Sequence, residues 1–374
     1  MQYRKFGKMG IQLSRLGFGA MRLPTNGDNV DEEESIRIIH RAFELGVNYI
    51  DTAYMYNNSQ SEPVVGNAVN SWKKGKIYVS TKNPKSGESG SVWRSCLEDQ
   101  LKKLNREYID IYHMHGINWK VYEENISKPD GPLDAARKAK EEGLIHHICF
   151  SFHDKPEALV QLVDTGVYES VTVQYNLLDR SNEKEIAYAH EQGLGVVVMG
   201  PVGGGRLAAP SEPIQNLIPS GFKSTAEAAM RFVFANPSVD VVISGMSTLA
   251  MVEENCTIAS RTDALSPAET QRIHEMLEEN KRLAELYCTG CNYCMPCPHE
   301  VNIPVNFRYM NYYRVYGLED TAKNLYSKIG SPETWWVKGK NAAACTECGE
   351  CEPKCPQHIP IIKQLKETAE TLGK

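Results

Sequence analysis

Eight short apolar runs alternate with amphipathic stretches between residues 14 and 245. They read SRLGFG (14–19), VNYID (47–51), KIYVSTK (76–82), IDIYHMH (109–115), HICFSF (147–152), SVTVQYN (170–176), LGVVVMG (194–200) and VDVVISG (239–245). Short runs of this kind suit strands buried on both faces. The stretches between them carry helix signals. DEEESIRIIHRAFELG (31–46) ends in Gly46, a C-terminal stop, and STAEAAMRFVFAN (224–236) opens with Ser224 and Glu227 at capping-box spacing. Eight strands alternating with helices over about 250 residues predict an α/β fold, a (β/α)8 TIM barrel. The competitor is a doubly wound open sheet, which wants GxGxxG after its first strand. GFGAMR does not supply it.

A helix is expected from Ser266, where SPAE forms a capping box with proline at its first turn. We therefore expect a barrel over 1–265 and a mainly helical second domain over 266–374. Net charge is −6, which argues against a nucleic-acid footprint. No run reaches 18 apolar residues, so no membrane span is expected. No apolar stretch follows the basic residues of MQYRKFGKMG, so no secretory signal is expected either.

Of eleven cysteines, Cys96, Cys149 and Cys256 are scattered, and the rest lie after position 287. That distribution suits a reduced, cytoplasmic setting better than a disulfide scaffold. The late cysteines form two motifs. The first is Cys288-x2-Cys291-x2-Cys294-x2-Cys297-Pro, and the second Cys345-x2-Cys348-x2-Cys351-x3-Cys355-Pro. Structural zinc uses pairs of CxxC held apart by a longer loop, often with histidine. Three cysteines at successive x2 spacing before a Cys-Pro fit a [4Fe–4S] cubane, and eight thiolates suffice for two.

The ends of the barrel strands supply Asp51, Lys82 and His115, with Tyr56 in the loop after Asp51. Function on such barrels sits at those ends. A phenol with an unperturbed pKa near ~10 is a weak proton donor at neutral pH. A neighbouring ammonium stabilises the phenolate, an aspartate holds the ammonium, and a histidine orients a carbonyl oxygen. Such a set can protonate a carbonyl oxygen as hydride reaches its carbon. His113 is expected on the face opposite His115, in a packing role. Cys96 and Cys149 are expected as buried thiols. His153 is expected in a structural role, with a place in the pocket as its alternative.

The segments DTAYMY…SE, STK, IDIYHMH, VQYNLLDR and ISGMSTLAMVEEN resemble the aldo–keto reductase family in content and order, over about residues 1–260. The opening YRKFGKMGIQLSRLGFGAMRL resembles that family's N-terminal hairpin and first strand. The resemblance implies nicotinamide-dependent reduction of an aldehyde or ketone, or oxidation of an alcohol. It makes Tyr56 the general acid, completed by Asp51, Lys82 and His115. Ser151 and Gln174 match the partners of the nicotinamide carboxamide. Gly200, Val202 and Arg206 fall in GPVGGGRL, which would cover the pyrophosphate. Gly245, Ser247, Thr248, Glu254 and Asn255 would line the rest of the nucleotide. Three positions depart from the family. Gly245 and Met251 are uncharged where NADPH users carry basic residues, so NADH fits as well as NADPH. Met199 stands where an aromatic ring stacks, and Phe152 where an asparagine follows the serine.

The C-terminal motifs, with the helical insert between them, resemble the α-helical ferredoxin module. By that resemblance Cys288, Cys291, Cys294 and Cys355 hold one cluster, and Cys345, Cys348, Cys351 and Cys297 the other. The first motif departs in having x2 before its Cys-Pro. Hydride carries two electrons and a cubane passes one. The clusters would therefore relay electrons between a carrier protein and a flavin at the barrel, pin a lid, or sense redox state. The leading reading is a carbonyl or alcohol oxidoreductase. Its alternative is an electron-transfer protein using the barrel as a scaffold.

Overall fold

The computed structural model describes residues 1–374 except 209, 219–220, 284–287, 289–293, 335–336 and 356–358. Eight strands close a parallel barrel: β1 (Leu16–Gly19), β2 (Tyr49–Asp51), β3 (Tyr78–Asn83), β4 (Ile109–Ile117), β5 (Ile145–Phe152), β6 (Ser170–Gln174), β7 (Gly195–Met199) and β8 (Val241–Gly245). Each strand pairs with its sequence neighbours, and β8 closes on β1. All eight apolar runs of the sequence are these strands.

The floor of the barrel is filled by the N-terminal hairpin, Tyr3–Lys5 paired with Gln12–Ser14. Phe6 and Leu13 join Tyr49, Ile111, Cys149, Val197 and Val241 in one buried cluster. Gly195 is a glycine because of that plug: a Cβ there would lie 2.5 Å from the Phe6 ring. The helices start and stop where their caps say. The Asp31 side chain accepts from the Glu34 amide at the start of helix Glu32–Glu44, and Gly46 follows that helix at φ 95°. Ser266 and Glu269 cap each other reciprocally, at 3.2 and 2.8 Å.

The chain divides into two compact units, 1–204 with 229–264, and 205–228 with 265–374. The second unit packs helix Ile303–Arg314 against helices Glu319–Ser327 and Ile361–Leu372. Its interior includes Phe307, Met310, Tyr326 and Leu365, all buried. Arg314 ties two of these helices by bonding Gln364 and Glu367. Segment 205–228 falls in this unit, and within it Ser211 Oγ donates to the Tyr316 carbonyl.

Candidate active site

Parallel strands deliver all their C-terminal ends to one rim of a barrel. Asp51 ends β2, Lys82 lies one residue from the end of β3, and His115 sits two from the end of β4. Tyr56 stands in the turn after β2, just before three residues at positive φ, Asn57, Asn58 and Ser59. Lys82 Nζ joins the group. It lies 2.5 Å from Asp51 Oδ1, 2.8 Å from the Thr52 carbonyl and 3.2 Å from the Tyr56 hydroxyl. Lys82 and Asp51 are each 1% exposed. Burial alone would drive the ammonium to lose its proton. Asp51 and Tyr56 together overcome that and raise the Lys82 pKa above its ordinary value.

The Tyr56 and His115 rings meet edge to face, with centroids 6.2 Å apart. Burial, with Lys82 and His153 adding, pulls the His115 pKa down from 6.5 to about 3. The imidazole is therefore neutral at physiological pH, and its buried Nδ1 has no hydrogen-bond partner among the described residues. As pH falls below 6.5 the unfolded chain takes up this proton before the folded one. The stability His115 contributes is thus full above pH 6.5 and lost as pH falls toward 3. Urea midpoints measured at pH 7, 5.5 and 4.5 should fall less steeply for His115→Gln than for the parent. Parallel trends would contradict a neutral buried His115.

His113 corrects the sequence expectation. Residues two apart on a strand share a face, so His113 and His115 both point into the barrel. His113 is fully buried between Ser80 on β3 and Thr172 on β6. The i, i+2 spacing was the signal that could have placed it. Sequence reading also missed Glu62 and Gln100. Glu62 Oε1 accepts from Thr81 Oγ1 at 2.7 Å and from Gln100 Nε2 at 2.5 Å, and Gln100 Nε2 also reaches the Lys82 carbonyl at 3.2 Å. That buried network braces the Lys82 backbone.

The other candidate residues gather at the same rim. Ser151 Oγ on β5 accepts from the Gly116 amide, 2.7 Å away. Gln174 ends β6, and its side-chain amide lies so close to Gly200 that a Cβ there would meet Oε1 at 3.1 Å. Gly200 has φ 64°, and its carbonyl accepts from Asn176 Nδ2 at 2.9 Å. Val202 is half-buried beside the 3-10 turn Gly203–Ala208, and the Arg206 side chain lies outside the described residues. Met199 is half-buried and Phe152 buried. At the end of β8, Gly245 is exposed with the Arg22 side chain alongside. Ser247 Oγ faces Met251 Sδ at 3.6 Å. Thr248 caps helix Leu249–Ser260 by accepting from the Met251 amide. Asn255 is buried and donates to Ser244 Oγ at 3.2 Å, while Glu254 is exposed. Positive-φ glycines and a bare glycine at the β8 end leave the main chain open to a nucleotide, so the residues fit such a group.

In the second unit, one small cavity is lined by Cys294, Cys297, Cys345, Cys348 and Cys351 together with Ile303, His299, Glu350 and Lys354. Five cysteines at one cavity are the residue type an iron–sulfur cluster takes, while among the described residues no three His, Cys, Asp or Glu side chains are set to hold a single metal ion. Cys288 and Cys355 are half-buried and are not on this wall, Cys348 is exposed, and Cys291 lies outside the described residues. Cys96 and Cys149 are buried thiols, with burial pushing each pKa up to about 12.

The rim of the closed parallel barrel thus carries a buried Asp–Lys pair beside a tyrosine and a histidine. The Aldo/keto reductase family model matches residues 15–278, and the chain belongs to that family. A 4Fe-4S dicluster domain model matches residues 287–360. An uncharacterized oxidoreductase of Bacillus subtilis, YqkF, is 27% identical over 293 residues, 70% of this chain and 92% of its own. The L-galactose dehydrogenase of Arabidopsis thaliana is 25% identical over 310 residues, covering 76% and 96%. Among solved structures, the holo form of aldo-keto reductase AKR11C1 from Bacillus halodurans matches with a TM-score of 0.64 at 29% identity, covering 74% of this chain and 96% of that one. The protein is thus an aldo–keto reductase-like oxidoreductase carrying a 4Fe-4S domain. Among the described residues no helix is long and apolar enough to cross a membrane.

Proposed function

We propose that the protein reduces an aldehyde or ketone, or oxidises the corresponding alcohol, with a nicotinamide nucleotide. The observation that carries this reading is Lys82 Nζ bridging Asp51 Oδ1 at 2.5 Å and the Tyr56 hydroxyl at 3.2 Å. A bound reduced nicotinamide would supply the hydride. Tyr56 holds the substrate oxygen and gives it a proton. Lys82 stabilises the phenolate left behind, and Asp51 keeps Lys82 charged and in place. His115, neutral, offers a ring nitrogen to orient the same oxygen. Ser151 and Gln174 hold the carboxamide end of the nucleotide. Gly200 and Val202 cover its phosphates, and Gly245, Ser247, Thr248, Glu254 and Asn255 line the remainder. The eight late cysteines would hold two cubanes, which would supply one-electron redox chemistry.

One anaerobic preparation tests this reading. Titration with NADH and NADPH should shift nicotinamide fluorescence saturably, and the protein should contain about eight irons per chain. Bound flavin with no response to either nucleotide would overturn it, and would favour an electron-transfer scaffold.

A further inference from the structure

The barrel interior below the rim holds a row of polar groups where apolar side chains would pack at lower cost. His113 Nδ1 lies 3.3 Å from Ser80 Oγ, and its Nε2 lies 3.1 Å from Thr172 Oγ1. Ser80 Oγ donates to Asp51 Oδ2 at 2.9 Å. Donor bookkeeping gives this row a direction. An ionised carboxylate only accepts, so the single Ser80 hydroxyl hydrogen is committed to Asp51. The Ser80 oxygen then accepts, and His113 Nδ1 carries the hydrogen. A neutral imidazole has one donor and one acceptor, so Nε2 accepts and Thr172 donates. Burial, with Lys82 and His115 adding, holds His113 neutral against a backbone bond to Thr81, whose carbonyl is a second acceptor beside Ser80.

We propose that His113 is a positioning residue for the reaction: the donor chain Thr172–His113–Ser80 runs across the barrel into Asp51 and sets the charge that the Asp51–Lys82 pair presents to Tyr56. This rests on the function proposed above. Successive donors polarise one another, so the far end of the row is felt at the carboxylate. Other titratable groups face the same space. On β2, Tyr49 lies 3.5 Å from Asp51 Oδ2. Lys82 on β3 and Cys149 on β5 stand level with His113, and His115 lies above it on β4. Tyr49 Oη donates to that Asp51 oxygen and also bonds Ser80, but its bond to Asp51 is longer and weaker than the 2.9 Å bond from Ser80. Removing the chain leaves Asp51 less compensated, which disfavours a phenolate at Tyr56.

The test uses the full cluster-loaded chain with an aldehyde substrate and compares His113→Leu, His113→Asn and Thr172→Val. In His113→Leu, nucleotide affinity should stay within about twofold and kcat should fall about tenfold. The alkaline limb of kcat/KM should move up by about half a pH unit. His113→Asn, which can still donate to Ser80, should recover part of both effects. Thr172→Val, nearly isosteric, should move the limb the same way by less, and it carries the test if His113→Leu does not fold. A profile unmoved in the folded variants, with only thermal stability lost, would reduce His113 to packing and overturn the proposal. Activity surviving Tyr56→Phe would instead sink the function on which it rests.

Discussion

Replacing Tyr56 by Phe should lower kcat for carbonyl reduction by about 10²–10⁴-fold and leave nucleotide binding within about twofold. The change removes one oxygen and keeps the ring. The edge-to-face contact with His115 and the approach of Lys82 Nζ to the ring, 4.8 Å from its centroid, do not require the hydroxyl. Lys82 keeps Asp51 and the Thr52 carbonyl as partners. The fold should therefore survive, and the loss should fall on proton transfer. Steady-state kinetics with an aldehyde, beside a nucleotide titration, measure this. A variant within threefold of the parent rate would show that the proton comes from elsewhere.

Lys82→Met should cost about 3–5 kcal/mol of stability as well as activity, because it leaves Asp51 buried without its cation. Ser80 at 2.9 Å and Tyr49 at 3.5 Å would remain as neutral donors to that carboxylate. Urea denaturation of the anaerobic protein reads the cost. The double variant Lys82→Met with Asp51→Leu should regain most of the stability and none of the activity, since an apolar pair of similar volume serves the core as well as an ion pair does. A single variant as stable as the parent would mean that Asp51 does not depend on Lys82. The pair would then be retained for reaction chemistry and not for folding, which is the reverse of a structural bridge.

The two effects separate the duties of the rim. Tyr56 stands in a turn and touches the site with one polar atom, so its removal is felt in rate. Lys82 lies inside the barrel wall, so its removal is felt in both rate and fold. His113, a layer deeper, should act through neither contact with substrate nor bulk packing.

Much of this was legible in the chain. The eight strands could be read because a strand buried on both faces is apolar nearly throughout, and none of the eight runs lies elsewhere. Asp51, Lys82 and His115 could be placed together because parallel strands put their ends on one rim. The place of His113 was legible too, through its spacing from His115, although the expected face was the wrong one. The membership of segment 205–228 was not legible. No periodicity or composition marks it, and its contacts within the second unit include a hydroxyl–carbonyl bond between Ser211 and Tyr316, 105 residues apart.

The sequence by itself determined the element order, the identity of the four rim residues and the thiol spacing that suits iron–sulfur clusters. These depend on local pattern: side-chain periodicity, caps, and ligands close together in the chain. Only the tertiary structure decided that Lys82 bridges Asp51 and Tyr56, that His115 is held neutral, and that Ser80 and Thr172 enclose His113. Those facts depend on distances between residues 26 to 59 positions apart and on how much water each group loses. Neither quantity is a property of a residue type, because both are set by which strands the closing barrel brings side by side.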